Sequence, residues 1–197
     1  MTTDLRSSAG PAPVRQGINA HRTAVAAHSR YGPGSGALWR AIKAAGSDEL
    51  CVVIDLMHGC GHRNGEAYAA NRERMVADDV YRITEQIEGE TRQRAPLKHR
   101  KPGEFRETPM PWTVRESLLR YERKHGTDIN GYFLRTQRSA YWAHTALDYH
   151  WGVAKKRAGI ARRLTAYSLR HFFASNCLAK GIPITDVAEW MGTGTST

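Results

Sequence analysis

Apolar residues recur at helical spacing along most of the chain. Intervals of three and four residues predict amphipathic helices, because they bring side chains to one helix face. A glycine follows several of these stretches and predicts where each helix ends. The predicted helices lie in ALWRAIKAAG, DELCVVIDLMHG, WTVRESLLRYERKHG, SAYWAHTALDYHWGVAKKRAG and TAYSLRHFFASNCLAKG.

Two other stretches have strand character. VYRITEQI alternates, which puts Tyr81, Ile83, Glu85 and Ile87 on one side. RAPLKHRKPGEFRETPMP predicts a strand, a loop and a return strand, and GCGHRNGEAYAAN predicts a glycine-rich turn that opens into a helix. The predicted fold class is therefore α+β, mainly helical with a small antiparallel sheet.

The same spacing predicts which helix faces are buried, and the capping residues predict helix ends. Thr165 or Ser168 is the expected N-cap of the last of these helices, and Gly181 its expected end. The predicted buried residues are Leu50, Val53, Ile54 and Met57 in DELCVVIDLMHG, Trp142, Ala146, Tyr149 and Val153 in the helix before Gly159, and Leu169, Phe172, Phe173 and Cys177 in the helix before Gly181.

Polar residues at the start of that last helix suggest a binding function. Tyr167, Arg170, His171 and Ala174 are spaced to share one face, beside the apolar one. Helix N-termini favour anions, so Tyr167, Arg170 and His171 together predict a phosphate site. The alternative is an ordinary capped helix whose arginine extends along the surface to solvent.

The charge of the chain points to a polyanionic partner. Lys and Arg number 29 against 19 Asp and Glu, a net charge of +10. Residues 151–185 contain seven basic and no acidic residues, and residues 92–106 contain six basic residues with Glu104 as the sole acid. Two such blocks predict a grip on double-stranded DNA, the alternative being two solvated surfaces.

Several classes of protein are disfavoured by the sequence. Three cysteines, an odd number, favour a reducing, cytoplasmic setting without a disulfide framework. No apolar run approaches the roughly 20 residues of a membrane span, and no signal-peptide pattern is present at the N-terminus. HGCGH superficially resembles a metal site but lacks a second ligand pair, so neither metal nor cofactor is expected. Residues 1–36, rich in Ser, Gly, Ala and Pro, predict a flexible arm or linker remnant.

Three motifs in chain order, GCGHRNGEA, LKHRKPGEFRETPMP and YSLRHFFASNCLAKGIPITDVAEWMG, resemble those of the tyrosine recombinase (phage integrase) catalytic domain. The resemblance covers roughly Leu38 to Gly192 and implies a catalytic domain at 37–197. It implies that Arg63 is the first catalytic arginine, with Glu66 supporting it, and that Arg170 is the second. Lys98 takes the place of the lysine on the family's hairpin turn, with Lys101 as the second choice.

The resemblance also implies a reaction. In the family a tyrosine attacks a DNA phosphodiester to form a 3′-phosphotyrosine, and a strand hydroxyl later reverses the step. The two arginines would hold the non-bridging oxygens, and the lysine would protonate the leaving oxygen without any metal. Duplex DNA and, on it, further copies of the intact protein are the implied partners.

This sequence departs from the family pattern at three places. Tyr167 stands where a histidine is usual, and Thr193 follows Gly192 where another histidine is usual. The nucleophilic tyrosine is expected further on, but the sequence stops at Thr197, so the nucleophile is expected to be missing. Three functions stay open: a recombinase domain with little or no activity alone, an inactive DNA-binding remnant, or a basic interaction protein that borrows the fold.

Overall fold

The computed structural model describes residues 35–136, 141–161 and 163–193, and its fold class is α+β, as predicted. The predicted arm therefore lies almost entirely outside the described residues. The helices are α1 (Ser35–Ala45), α2 (Asp48–Cys60), α3 (Asn64–Tyr68), α4 (Trp112–His125), α5 (His144–Arg157), α6 (Ser168–Ala179) and α7 (Ile184–Met191). The strands are β1 (Met75–Ala77), β2 (Val80–Ile83), β3 (Glu85–Ile87), β4 (Arg94–Pro96) and β5 (Arg106–Pro109).

The strands form two small antiparallel sheets. One has the order β1-β2-β5, and the other pairs β3 with β4. The predicted return strand is present, but it pairs with β2 and not with β4, so that part of the prediction was wrong. VYRITEQI is split at Thr84, and this break lets β2 and β3 take different partners. The register pairs Ile83 with Arg106, which fixes the start of β5 against the end of β2.

Helix α2 lies at the centre of the core. Its predicted stripe is buried, and Val52, Leu56 and Cys60 are buried as well, so the helix is covered on most sides. It packs against α4 and α6. The Ser47 hydroxyl accepts a hydrogen bond from the Leu50 amide at its start, and Gly61 ends it in the left-handed conformation with φ of 70°.

The predicted face of α5 was only partly right. Trp142, just before the helix, is buried as predicted, and Ala146 packs against the core. Tyr149 is 68% exposed, whereas Leu147, Trp151 and Ala154 are buried. Both sets have helical spacing, so periodicity alone does not separate them. Packing against α1 selects the second set, and the Trp151 indole donates to the Leu164 carbonyl 3.0 Å away.

The two last helices form a second apolar cluster that reaches towards the first sheet. It consists of Phe173, Cys177, Ile182, Val187 and Trp190. Helix α7 packs against both α6 and β5, which brings its C-terminal end close to α3 and β5. None of the helices in the described ranges is long and apolar enough to cross a membrane.

The predicted ends of α6 were only partly right. The helix begins at Ser168 with Tyr167 in the N-cap position, so neither Thr165 nor Ser168 caps it. Thr165 Oγ1 lies instead 3.4 Å from Ser168 Oγ. Gly181, with φ of 76°, follows the helix as predicted.

Candidate functional site

A buried carboxylate, Glu66, lies at the centre of the candidate site. Arg63 occupies the N-cap position of α3 and Glu66 its third residue, so the Arg63 amide donates to Glu66 Oε2 over 2.7 Å. The Arg63 side chain donates to Oε1 over 3.0 Å. Arg106 donates to both oxygens, over 2.7 and 2.5 Å. One carboxylate thus holds two guanidinium groups.

The ionisation of Glu66 is set by opposing effects. Burial favours the neutral acid and would raise its pKa. The hydrogen bonds and charge of Arg106, with smaller contributions from His62 and the Arg63 amide, outweigh burial and lower the pKa to about 2. Glu66 is therefore ionised near neutral pH.

Arg106 was not predicted as a site residue. It is 4% exposed, and its Nε donates to the Trp190 carbonyl over 2.8 Å. Its sequence position did carry a weak signal, since Arg106 and Thr108 lie two residues apart in β5 and both are buried. An arginine on the buried side of a strand needs a partner, and Glu66 provides it.

Arg170 joins the same cluster from the first turn of α6. The residue is 1% exposed, which excludes the alternative of an arginine that extends along the surface. Its Nη groups donate to the carbonyls of Gly61 and Met191. Burial lowers its pKa to about 10, with the charges of Arg63 and Arg106 adding to the shift and Glu66 opposing it. Arg170 is therefore still charged near neutral pH.

Arg63, Arg106 and Arg170 form what we call the arginine cluster, and they meet three consecutive carbonyls at the end of α7. Arg63 Nη2 donates to Gly192 over 2.7 Å, while Arg106 and Arg170 donate to residues 190 and 191. The C-terminal carbonyls of a helix carry partial negative charge. The site thus places partly negative oxygens on the arginine cluster, the same kind of group that a phosphate presents.

The predicted group of Tyr167, Arg170 and His171 is divided by the structure. Arg170 points into the site, whereas Tyr167 is 45% exposed and His171 is also exposed. The two exposed rings touch edge to face, with centroids 5.0 Å apart. Consecutive helical residues are about 100° apart, so the predicted face straddles the boundary between core and solvent.

The two candidate lysines lie on the segment 97–105, which links β4 to β5. Lys98 lies in a turn directly after the buried Leu97, and Lys101 lies before the turn at 102–103. The Lys101 amide donates to Glu104 Oε2, and the Glu104 amide donates to the Lys101 carbonyl, each over 3.1 Å. Both lysines are exposed, and the choice between them stays a prediction.

His62 lies under the arginine cluster. It is fully buried, and its ring contacts the Tyr81 ring edge to face at 5.0 Å. Burial lowers its pKa to about 3, with the charges of Arg106 and Arg170 adding to the shift and Glu66 opposing it, so the imidazole is neutral. Elsewhere in HGCGH, Cys60 is buried and His58 stacks on Phe172 at 4.9 Å. Within the described ranges no three His, Cys, Asp or Glu side chains are grouped as a metal site requires.

The fold and the cluster together define an α+β domain in which three arginine side chains meet around one buried carboxylate and the end of α7. Residues 37–193 match the model of the phage integrase family, well over half of the chain, and the chain therefore belongs to the phage integrase family. This confirms the family that the three motifs predicted. No curated protein matches the chain.

Solved structures confirm the fold of a tyrosine recombinase catalytic domain. XerA recombinase is similar with a TM-score of 0.64 and 18% identity, over 84% of this chain and 58% of that one. The Tn1549 transposon integrase in complex with transposon right-end DNA is similar with a TM-score of 0.62 and 14% identity, over 97% of this chain and 61% of that one. The lambda integrase catalytic core is similar with a TM-score of 0.57 and 16% identity, over 81% of this chain and 90% of that one. The chain thus spans about three-fifths of the XerA and Tn1549 integrase chains.

Proposed function

We propose that this chain binds double-stranded DNA and clamps one backbone phosphate between Arg63 and Arg170, as the catalytic domain of a site-specific recombinase. The observation that carries the proposal is the arginine cluster itself. Three guanidinium charges face the single carboxylate of Glu66, which leaves two positive charges uncompensated by side chains in the cluster. A phosphodiester oxygen pair is the anion that such planar donors fit.

In this proposal the phosphate oxygens take over donors that now serve the α7 carbonyls. Arg63 and Arg170 each have an Nη group on such a carbonyl, so the donors are already oriented towards an acceptor. Charge that develops on the non-bridging oxygens would then be stabilised by a few kcal/mol per donor. Lys98, or Lys101 in its place, would protonate the leaving oxygen. No cofactor takes part in these steps.

Tyr167 and His171 would lie at the edge of this clamp. Tyr167 takes the place of the family's histidine, and its phenol would donate a hydrogen bond to a phosphate oxygen. A phenol has a reference pKa near 10, so it would be a poorer proton carrier than an imidazole. We assign Tyr167 to phosphate binding and His171 to its support, through the ring contact.

We propose further that residues 1–197 alone hold DNA without cutting it. In the family the nucleophilic tyrosine follows the second arginine, and residues 171–197 contain no tyrosine. For residues 1–197 alone the nucleophile would have to come from outside these residues, and its supply by a second copy would fit the self-association on DNA that we also propose. The alternative is an inactive DNA-binding remnant. In both cases we place the domain at 37–197, after an arm at 1–36, and the protein in the cytoplasm.

The test measures binding of a fluorescent duplex by anisotropy at several KCl concentrations. Binding should weaken steeply with salt, and Arg63→Gln and Arg170→Gln should each weaken it at least tenfold. Arg123→Gln removes one exposed charge on α4 and serves as the matched control. Binding that ignores salt, or variants that match the control, would contradict the clamp.

A nicked suicide duplex tests the catalytic half of the proposal. Residues 1–197 alone should give no protein–DNA band that survives denaturant. Such a band mapped to a tyrosine of this chain would show that the chain carries its own nucleophile. A band that forms only when a second recombinase chain with the tyrosine is added would favour the recombinase over the inactive remnant.

A further inference from the structure

We propose that Arg106 is a positioning residue for this clamp: it occupies Glu66 from the buried side and so keeps the Arg63 guanidinium turned towards the end of α7, where the phosphate is proposed to bind. The inference rests on the proposed function, because Arg63 is taken to contact the phosphate. Arg106 itself does not touch the phosphate in this scheme.

The first argument is the division of Glu66 between its partners. Arg106 makes a two-pronged pair with both carboxylate oxygens, the geometry that arginine and carboxylate prefer. Arg63 is left with one side-chain contact, Nη1 to Oε1, and its Nη2 donates to Gly192 instead. If Arg106 were removed, Glu66 could form the two-pronged pair with Arg63, and both Nη groups of Arg63 would then turn away from the proposed phosphate position at the end of α7.

The second argument is access. The side chain of Arg106 is 2% exposed, whereas that of Arg63 is 18% exposed. A Cβ added at Gly192 would lie 3.2 Å from the Nη1 atoms of both arginines, so both guanidinium groups lie directly against the end of α7. Of the two arginines that share Glu66, Arg63 is the more accessible to an incoming phosphate, and Arg106 is enclosed.

The third argument is connectivity. Arg106 is the first residue of β5, which follows directly on the segment carrying Lys98 and Lys101. Its Nε donates to the Trp190 carbonyl, and its Nη groups reach Glu66 on α3. One side chain therefore ties the base of the lysine segment to α3 and α7. Because Arg106 and Arg63 share the carboxylate of Glu66, a change at Arg106 is expected to displace the Arg63 guanidinium before it affects other groups of the site.

The test separates a residue that touches phosphate from one that positions such a residue. Each phosphate contact contributes about one unit to the slope of log K against log salt. Arg63→Gln should therefore lower the slope by about one. Arg106→Gln should weaken duplex binding at least tenfold relative to the control Arg123→Gln and also lower the slope by about one, because Arg63 then turns away from the phosphate. In Arg63→Gln/Arg106→Gln the slope should be no lower than in Arg63→Gln alone; a further decrease of about one would show direct phosphate contact by Arg106 and overturn the inference.

A double variant supplies a second readout that general damage would not reproduce. In Arg106→Gln/Glu66→Gln the carboxylate that would capture Arg63 is gone, so most of the binding lost in Arg106→Gln should return. A crystal structure of Arg106→Gln should show Arg63 with both Nη groups on Glu66. Binding no better in the double variant than in the single one, with both folded by circular dichroism, would overturn the inference.

Arg106→Lys covers the case in which Arg106→Gln fails to fold. It keeps the charge but cannot form the two-pronged pair, so binding should fall several-fold and the slope should fall by no more than it does in Arg63→Gln. Binding equal to the unaltered chain would overturn the inference. The proposed function would be overturned if the unaltered chain shows no salt-dependent binding. The inference alone would be overturned if Arg63→Gln weakens duplex binding while the Arg106 variants bind as the control does.

Discussion

Arg63 Nη2 donates to the carbonyl oxygen of Gly192 over 2.7 Å and so joins residues 129 positions apart. This bond ties the start of α3 to the end of α7. It also directs this donor at an oxygen acceptor, the kind of atom that the proposed phosphate would present. The relation between these two residues makes the turn at Gly192 part of the candidate site.

Gly192→Ala should damage both stability and DNA binding. Gly192 has φ of 63°, and an added Cβ would press on the Nη1 atoms of Arg63 and Arg106 at 3.2 Å. The left-handed conformation costs a non-glycine residue about 1–2 kcal/mol, and the crowding should weaken duplex binding several-fold. Urea unfolding and anisotropy measure the two effects.

Gly181→Ala is the matched control for this prediction. Gly181 has φ of 76°, but nothing lies within 4 Å of the place its Cβ would take. It should lose a similar free energy of unfolding and keep its DNA affinity. Equal losses of affinity in the two variants would mean that the turn at Gly192 acts through stability alone.

Tyr167→Phe should weaken duplex binding about fivefold without changing the melting temperature. The phenol is proposed to donate one hydrogen bond to phosphate, worth about 1 kcal/mol. The side chain is 45% exposed, so its hydroxyl contributes little to folding. Tyr149→Phe, at a 68% exposed residue of α5, is the control and should bind normally. Unchanged binding in Tyr167→Phe would remove Tyr167 from the clamp.

The helices could be predicted from the sequence because apolar residues recur in them at helical spacing, but the choice between two possible buried faces depends on tertiary packing. In α5 the set with Tyr149 and the set with Trp151 have equal spacing, and contact with α1 decides between them. Strand pairing was the harder problem. Short strands leave several partners open, and the break at Thr84 is not marked by any strong turn residue.

The site shows the same limit. Arg63, Glu66 and Arg170 were predicted from motifs, and the structure brings all three together. Arg106 was missed because its role depends on a carboxylate 40 positions away, a relation that spacing along the chain does not contain. Its spacing of two residues from the buried Thr108 in β5 was the one local signal, and that spacing indicates burial without identifying the partner.

Stability should fall as the pH is lowered from 7 towards 3. The folded-state pKa of His62 is about 3 against an ordinary value of 6.5, and that of Glu66 about 2 against 4.5. Both folded values lie below the unfolded ones, so the unfolded chain binds more protons and acid favours unfolding. Protonation of His62 in the unfolded chain lowers the stability below about pH 6.5, and protonation of Glu66 does so below about pH 4.5. One such group changes the free energy of unfolding by at most about 1.4 kcal/mol per pH unit.

His62→Leu isolates the first of these contributions. Its free energy of unfolding in urea should become nearly independent of pH between 6.5 and 4.5, because the group that titrates in the unfolded chain is gone. His144→Asn, at an exposed residue of α5, should keep the slope of the unaltered chain. Equal slopes in all three proteins would show that His62 is not held neutral by the fold.

Arg170→Lys should lower both stability and DNA affinity although the charge is kept. Arg170 serves the carbonyls of Gly61 and Met191 at once through two Nη groups, and a single ammonium cannot reproduce that planar fork. One buried carbonyl left without a donor costs about 1–3 kcal/mol, and duplex binding should fall more than tenfold. Arg163→Lys, at an exposed residue outside the cluster, controls for the exchange itself. If the two variants bind alike, the geometry of Arg170 is irrelevant and its charge alone attracts the DNA.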